Sequence, residues 1–261
     1  MQNISVWLMI PAISLAAALA VQVSRKIRGD IRLSRRPVRE IDPARPMVAL
    51  TLDDGPSEKW TPVILACLAQ HGAVATFFEV GKNVKRFPDL PVRAETLGCE
   101  IGCHSYAHID LAAADRKTML LDRLRCSYVF RSALGHMPKL FRPPYGSVSE
   151  KALRLYDRPF IGWSLSTHDW KTRNTASTVE IVQEFGDLDG QVILMHSIHE
   201  PTAEAVKILV PWLLEQGYQL VTVSELMKYR YRTEFRAHVY YAEDFFRPGP
   251  GMTGDRTERT T

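Results

Sequence analysis

Two adjacent aspartates close an apolar run in the first quarter of the chain. Asp53 and Asp54 follow "MVALTL" and precede Gly55-Pro56, a dipeptide typical of turns. Successive side chains of a strand point to opposite sides, so at a strand end the two carboxylates can face different partners. One carboxylate could then bind a metal ion while the other stays free. Solvated turn aspartates are common as well, so the pair alone does not decide between the two interpretations.

Two histidines four residues apart follow another apolar stretch. His104 and His108 lie in "CEIGCHSYAH", and a four-residue step puts both imidazoles on one face of a helical turn, which suits metal chelation. A pair of hydrogen-bonded structural histidines is the simpler alternative. With an aspartate from a neighbouring strand end, the histidines would complete a His₂Asp set. Three protein ligands leave a coordination position open for water, as in catalytic zinc sites, whereas structural zinc sites usually have four.

Three further apolar runs end in residues that could do chemistry. Taken alone, each has a structural explanation: an arginine paired with an acid, a core tryptophan, a histidine at a strand end. Taken together, they all fall where a predicted strand ends, which is where α/β barrel enzymes build their sites. We therefore expect one site at this end of the sheet. The residues are Arg142 and Tyr145 in "FRPPYG", Asp169 and Trp170 in "WSLSTHDW", and Leu194 and His196 in "VILMHS".

The elements that must position these residues alternate along the chain. Short apolar runs predict strands and longer amphipathic stretches predict helices. Seven strands alternating with helices indicate an α/β fold with a parallel sheet, either open or closed into a barrel. Pro211 predicts a kink or a break in the last helix. The strand candidates are 47–53, 73–80, 99–104, 139–142, 160–166, 191–196 and 219–223, and the helix candidates lie near 60–71, 85–97, 113–134, 149–156, 176–186 and 202–216.

Five motifs, in order, make the sequence resemble a known family. T-L-D-D-G-P, H-S-Y-A-H, R-P-P-Y, H-D-W and L-M-H look like the motifs of the NodB-type polysaccharide deacetylases, carbohydrate esterase family 4. The stretches "ATFFEVGKNV" and "GYQLVTVSEL" resemble this family too, and the resemblance covers about residues 46 to 228. It implies a distorted (β/α) barrel with about seven parallel strands. It also implies a metal-dependent hydrolase that removes N-acetyl groups from a polysaccharide.

The resemblance identifies the metal ligands that the spacing had left open. It implies that Asp54, His104 and His108 bind the metal. We expect Zn²⁺, with Co²⁺ or Ni²⁺ as alternatives, because a His₂Asp set accepts all three and availability decides as much as affinity.

The resemblance also implies a general base and a general acid. Amide hydrolysis needs a nucleophile, a stabilised oxyanion and a proton for the leaving nitrogen. Asp53 would be the base, and Arg142 would hold it in place and keep its carboxylate ionised. His196 would be the acid that protonates the leaving amine. Asp169 would help to position the side of the site that contains Arg142 and His196.

The remaining motif residues are implied to shape the substrate pocket. The backbone N–H of Tyr145 would stabilise the oxyanion together with the metal, and Leu194 and Trp170 would form the wall for the acetyl methyl group. One position departs from the family pattern D-[ST]-x-D-W, because Ser166 stands where many members have aspartate. This change removes no implied ligand or proton carrier. It could weaken orientation of the site or alter the fit of the substrate.

We expect the substrate to be N-acetylglucosamine residues of peptidoglycan. An N-terminal anchor beside a basic stretch suits a bacterial surface enzyme, and "MHSIHEPTAEAV" resembles the peptidoglycan branch of the family. Chitin oligosaccharides, an exopolysaccharide or acetylated xylan are alternatives. A membrane-tethered glycan-binding protein without turnover is an alternative of another class. The intact acid, base and ligands argue against it.

The N-terminal segment predicts attachment to a membrane. Residues 1–24 contain no charged side chain, a length that suits one span. A signal peptide cleaved at Ala18-Leu19-Ala20 is the alternative, but no basic residue precedes the apolar run. Residues 25–40 hold seven basic and two acidic residues, which alone predicts a cytoplasmic domain. Because the expected glycan lies outside the cell, we expect a single-pass cell-membrane protein with an extracellular catalytic domain.

Composition constrains the remaining predictions. The chain has a net charge of +4, and the basic flank accounts for it, so the rest is nearly neutral and a nucleic-acid partner is not expected. The four cysteines show no paired spacing and are predicted to be small core residues. We expect an anchor or signal segment at 1–24, a basic linker at 25–45, the catalytic domain at 46–231 and an extension at 232–261 whose end is disordered.

Overall fold

The computed structural model describes residues 39–241 of the chain. The predicted anchor at 1–24, most of the basic linker and the end of the C-terminal extension lie outside this range. The predictions for these segments and for the domain boundaries therefore stay predictions. Between residues 39 and 241, no helix is both long and apolar enough to span a bilayer.

Short parallel strands form the centre of the domain. Five of them lie side by side in the order β3-β2-β1-β6-β5, while β7 pairs with the start of β1 and β4 pairs with β8. Every residue of β1 is buried, as expected of a central parallel strand with both faces covered. The predicted α/β class with a parallel sheet is thus confirmed. The strands are β1 Met47–Asp53, β2 Thr76–Glu79, β3 Glu100–Cys103, β4 Phe160–Ile161, β5 Leu165–Ser166, β6 Val192–His196, β7 Gln219–Leu220 and β8 Tyr240–Tyr241.

The register of the central strands aligns their carboxyl ends. Asp53 at the end of β1 lies opposite His196 in β6 and Phe78 in β2. Glu79 at the end of β2 lies opposite Cys103 at the end of β3. Because these four neighbouring strands, β3, β2, β1 and β6, end together, the residues that follow them meet at one edge of the sheet.

Two stretches predicted as continuous strands differ in the structure: one is reduced to a single bridging residue and the other is divided into two strands. In 139–142 only Phe141 forms bridges, one to Cys103 and one to Phe160, so this single residue links β3 to β4. The stretch 160–166 divides into β4, which pairs with β8, and β5, which pairs with β6. Only three residues separate β4 from β5, so the chain itself joins the two pairings. Apolar periodicity does not report where a strand changes its partner, which is why the sequence suggested unbroken strands.

The helices cover the sheet and connect its strands. They are α1 Trp60–Gln70, α2 Gly81–Arg86, α3 Asp89–Thr96, α4 Arg116–Leu134, α5 Glu150–Leu155, α6 Asp169–Thr172, α7 Thr175–Gln183, α8 Glu200–Glu215 and α9 Val223–Tyr229, together with a 3₁₀ turn at Pro144–Gly146.

Three boundaries differ from the predicted ones for reasons of local chemistry. The helix predicted near 85–97 is two helices, because Pro88 disfavours helical geometry in the residue before it. Pro211 does not break α8, which continues through it to Glu215. Val223 begins α9 instead of ending a strand, because the Thr222 side chain caps that helix.

The apolar residues of strands and helices pack into a buried core. The four cysteines are among them, all buried and free, as their spacing predicted. They are Cys67, Cys99, Cys103 and Cys126.

Candidate metal and catalytic site

The ends of β1 and β3 bring together a set of possible metal ligands, here called the ligand triad: Asp54, His104 and His108. Their candidate ligand atoms all lie within 4.8 Å of one another. Asp54 Oδ1 is 3.5 Å from His104 Nε2 and 3.2 Å from His108 Nε2. This oxygen is buried without a well-aligned hydrogen-bond donor. A buried carboxylate oxygen beside two imidazole nitrogens fits a divalent cation, because such an ion would satisfy all three atoms.

The protonation states of the ligand triad also suit a cation. His104 Nδ1 lies 2.8 Å from the carbonyl oxygen of Arg142 and must donate to it, which leaves the Nε2 lone pair facing Asp54. Burial lowers the pKa of His104 more than the nearby carboxylates raise it. Burial raises the pKa of Asp54, but the adjacent imidazoles, His108 first, lower it to about 2. A neutral imidazole and an ionised carboxylate are the forms that bind metal.

Hydrogen bonds to Asp122 of α4 hold the loop that contains both histidines. Its carboxylate accepts hydrogen bonds from Ser105 Oγ at 2.9 Å, from the Tyr106 N–H at 3.0 Å and from the Ala107 N–H at 3.1 Å. Ser105 and His108 have left-handed φ angles of 64° and 57°. Such angles are costly for residues other than glycine, so a loop with two of them needs external bonds of this kind.

The second aspartate of the opening motif forms a buried ion pair. Asp53 is 3% exposed, and Arg142 Nη1 donates to its Oδ1 at 2.8 Å. Arg142 is fully buried and also donates to Thr51 Oγ1 at 2.6 Å. Its other nitrogens donate to the carbonyl oxygens of Ile161 at 3.1 Å and Gly162 at 2.7 Å. Because four acceptors hold the guanidinium in a single orientation, the guanidinium in turn fixes the Asp53 carboxylate beside the ligand triad. The adjacent aspartates thus have different partners, as their place at a strand end predicted.

On the opposite side of β1, Asp169 and His196 form a second pair. Asp169 Oδ1 is 2.8 Å from His196 Nδ1, and its Oδ2 accepts the His196 N–H at 2.8 Å and the Thr202 hydroxyl at 2.6 Å. Burial lowers the pKa of His196, but the hydrogen bond and charge of Asp169 raise it more, so the net shift is upward. Burial raises the pKa of Asp169, and His196 lowers it more. The raised pKa favours the protonated imidazole, and because Asp169 faces Nδ1, Nε2 is the nitrogen left to act as a donor.

Part of the role expected of Asp169 is not seen in the structure. Within residues 39–241, no hydrogen bond joins Asp169 to Arg142, and both oxygens of its carboxylate are engaged by His196 and Thr202. Arg142 is instead positioned by Asp53 and by backbone carbonyls. Among the described residues, Asp169 thus contacts the His196 part of this side of the site and Thr202, and its expected role in positioning the side with Arg142 stays a prediction.

Of the residues expected to shape the pocket, Tyr145 contacts the ligand triad directly, whereas Trp170 and Leu194 have no such contact among the described residues. The Tyr145 ring packs edge-on against His108, with centroids 4.6 Å apart, and its backbone has a left-handed φ of 61°. Trp170, at the start of α6, is 51% exposed, and Leu194 is 4% exposed in the middle of β6. In the described part of the chain, no hydrogen bond or ring contact links Trp170 or Leu194 to the ligand triad.

Among the described residues, the Ser166 hydroxyl contacts only its own turn, while its backbone pairs with β6. Its Oγ lies 3.4 Å from the His168 N–H and 3.5 Å from His168 Nδ1. The Arg142 guanidinium does not depend on it, because main-chain carbonyls hold the nitrogens that do not contact Asp53 or Thr51. The serine at this position therefore leaves the base and its partner in place.

Sequence reasoning missed three supporting residues. Thr51 and Thr202 are buried threonines that bond the two ion pairs. Thr51 opens the T-L-D-D-G-P motif, which was a signal for it, whereas nothing in the local sequence distinguishes Thr202 from a core residue. Asp122 had a detectable signal, since it is a charged residue at helical spacing from the buried residues Met119 and Cys126.

Comparison with known proteins agrees with this geometry. Residues 40–158 match the polysaccharide deacetylase family. The peptidoglycan-N-acetylglucosamine deacetylase PgdA of Listeria monocytogenes is 37% identical over 179 residues, which are 69% of this chain and 38% of that protein. The peptidoglycan-N-acetylmuramic acid deacetylase PdaC of Bacillus subtilis is 34% identical over 195 residues, which are 74% of this chain and 41% of that protein. The chain thus spans about two fifths of the length of these relatives.

Solved structures extend the similarity to the whole matched domain. The structure of peptidoglycan deacetylase PdaC from Bacillus subtilis is 34% identical with a TM-score of 0.70, and the match covers 72% of this chain and 93% of that one. A structure described as T48 deacetylase with substrate is 36% identical with a TM-score of 0.72, covering 77% of this chain and 100% of that one. At this identity over nearly complete domains, the match shows family as well as fold. The chain belongs to the polysaccharide deacetylase family, carbohydrate esterase family 4.

Proposed function

We propose that this chain is a metal-dependent N-deacetylase that hydrolyses the acetamide groups of N-acetylglucosamine residues in peptidoglycan and releases acetate. One observation carries the proposal: a ligand triad, a buried carboxylate held by an arginine and a histidine held by a carboxylate converge at one edge of the sheet. Amide hydrolysis needs these three groups in separate places. The PgdA relative is named for this activity, and the PdaC relative for the same reaction on N-acetylmuramic acid.

The ligand triad would hold the metal, for which we propose Zn²⁺, with Co²⁺ or Ni²⁺ as alternatives. When bound, such an ion acts as a Lewis acid on the acetamide carbonyl and makes water more acidic. The His104 tautomer set by the Arg142 carbonyl keeps a lone pair directed at this position. The loop bonds made by Asp122 keep His108 beside Asp54.

The proton transfers are assigned to the two buried pairs. Asp53 takes a proton from the attacking water, and Arg142 holds the carboxylate so that its free oxygen faces the ligand triad. As the C–N bond breaks, His196 donates a proton to the leaving amine, while Asp169 stabilises the imidazolium until the proton leaves. A positioned acid and base each contribute on the order of 10²–10⁴ in rate. The backbone N–H of Tyr145 would donate to the oxyanion.

Acetate release by the full chain tests the proposal. The substrates would be N-acetylated peptidoglycan fragments and chitin oligosaccharides of equal length, with added Zn²⁺. We expect acetate that disappears with a chelator and returns with metal, and that is lost in Asp53→Asn. Arg154→Gln serves as the matched control, because Arg154 is an exposed arginine on α5 whose ion pair among the described residues is with Glu150. A folded, zinc-loaded chain that releases no acetate from either glycan would refute the proposal. Acetate release from chitin oligosaccharides alone would show that the substrate is chitin and not peptidoglycan.

We further propose that the domain acts outside the cell, attached by the N-terminal segment. The support is the uncharged stretch at 1–24 and the location of the expected glycan. The basic residues at 25–40 favour the reverse orientation. Protease treatment of intact cells tests this, since an outside domain is digested and a cytoplasmic one is protected.

A further inference from the structure

An arginine beside the candidate site is held in place without an acidic partner. Arg173 follows α6 with a left-handed φ of 49°. Its Nε donates to the Trp170 carbonyl oxygen at 2.7 Å, and its Nη1 donates to His199 Nδ1. Two contacts, one to α6 and one to the residue that precedes α8, therefore hold an exposed guanidinium that would otherwise move freely.

Among residues 39–241, no acidic side chain forms an ion pair with this arginine. Its Nη2 has no acceptor among these residues either. His199 accepts from Arg173 and is therefore neutral at Nδ1. Burial and the charge of Arg173 lower the pKa of His199, consistent with this state. The pair thus carries one positive charge, and its exposed guanidinium keeps N–H donors that no described residue accepts, the kind of donor by which arginine binds carboxylates.

The position of Arg173 connects it to the reaction site. It lies four residues after Asp169, which orients the His196 acid, and His199 lies three residues after His196. The two loops are tied together by the Thr202 bond to Asp169. Between Asp169 and Arg173 stands Trp170, whose half-exposed indole offers an apolar face of the kind on which sugar rings pack. The Arg173 guanidinium thus contacts the main chain of a residue whose aromatic side chain is exposed.

We propose that Arg173, held by His199, is a binding subsite for a carboxylate of the glycan, so that the chain prefers acidic N-acetylated glycans over neutral ones. This inference rests on the proposed function. In peptidoglycan the carboxylate has two sources, the lactyl group of an N-acetylmuramic acid unit without a peptide and the carboxylates of a stem peptide. A neutral N-acetylglucosamine polymer has neither.

Kinetics on three tetrasaccharides test the subsite. The probes are chitotetraose, a peptidoglycan tetrasaccharide with free lactyl groups, and the same tetrasaccharide with stem peptides. With Arg173→Gln we expect kcat/KM to fall about 10-fold on at least one acidic probe, mainly through KM, and less than about 2-fold on chitotetraose. The acidic probe that responds identifies the source. Arg173→Lys should lose less, because it keeps the charge, and Arg154→Gln should change none of the three.

Two results would overturn the subsite. An equal fall on all three probes would show that Arg173 acts on folding or on the His196 loop in general. No fall on either acidic probe would show that its charge is not used. If the wild-type chain releases no acetate from any probe, the proposed function fails instead. Calorimetry with the same probes then tests the subsite, and equal affinity for acidic and neutral probes would refute it.

Discussion

Replacing Arg142 by methionine would remove one partner of the most deeply buried ion pair near the site. The methionine side chain keeps much of the apolar stem but has no charge and no donors. Asp53, 3% exposed, would keep its carboxylate without the Nη1 bond of 2.8 Å. The carbonyl oxygens of Ile161 and Gly162 would lose their donors as well. The change therefore leaves uncompensated polar groups in the interior.

The expected cost follows from the burial of both partners. Removing one partner of a buried ion pair typically costs about 3–5 kcal/mol, because the remaining charge is desolvated and unpaired. For a domain of this size, each kcal/mol lowers Tm by about 2–4 °C, so we expect Tm to fall by about 6–20 °C. Asp53→Asn should also destabilise, since it leaves the arginine unpaired. The double variant contains neither charge, so its cost should be less than the sum of the single costs by about 1–3 kcal/mol.

Urea unfolding and thermal denaturation at pH 7 measure these quantities. Chelator is present throughout, because a metal that binds only the native state would add its own stabilisation. Arg154→Met is the control, and the exposed side chain of Arg154 predicts a change within about 0.5 kcal/mol.

Two outcomes would refute the reasoning about Arg142. One is a loss below about 1 kcal/mol for Arg142→Met, which would mean that the site relaxes or that water replaces the guanidinium. The other is a double variant whose cost equals the sum of the single costs, which would mean that Asp53 and Arg142 do not stabilise each other.

Three other changes have defined outcomes. Asp169→Asn removes the charge that raises the pKa of His196, so the alkaline limb of kcat/KM against pH should move to lower pH; an unmoved limb would contradict the assignment of His196 as the acid. Gly102→Ala places a Cβ 2.3 Å from the Phe78 ring and should cost about 1–3 kcal/mol in urea unfolding, so a neutral result would show that the ring can shift. Glu79 is fully buried, neither oxygen is bonded, and burial raises its pKa well above the usual value. Between the usual pKa of a glutamate and the raised pKa of Glu79, the native state keeps this proton and the unfolded state loses it, so wild-type stability falls as pH rises through this range. The gain in unfolding free energy from Glu79→Gln should therefore grow with pH in urea unfolding. A gain independent of pH would contradict this.

Much of the site could be located from the sequence because its signals are local. An apolar run that ends in Asp53-Asp54 or in His104 marks a strand end from a few neighbouring residues. The same holds for the histidine spacing of four. The motif order then made the family recognisable, and the solved relatives confirm it. The assignments of Tyr145 and Trp170 to the pocket stay predictions.

The parts that could not be predicted depend on contacts between distant residues. Arg142 finds its acceptors 19 and 20 residues away at Ile161 and Gly162, and 91 and 89 residues away at Thr51 and Asp53. A residue's own segment contains no information about which distant carbonyl will face it. For the same reason the sequence did not show that Phe141 alone would bridge β3 to β4.

The sequence by itself thus determined the α/β class, the residues at the strand ends and the family, because hydrophobic period, turn residues and motif spacing act over a few positions. Only the tertiary structure decided how those residues are paired. Asp53 faces Arg142, Asp169 orients His196, and Arg173 is held by His199 with no acidic partner between residues 39 and 241. Pairing of this kind is set by strand register and by the packing of loops from separate elements. A shift of one residue in register would direct the same side chains to the other face of the sheet.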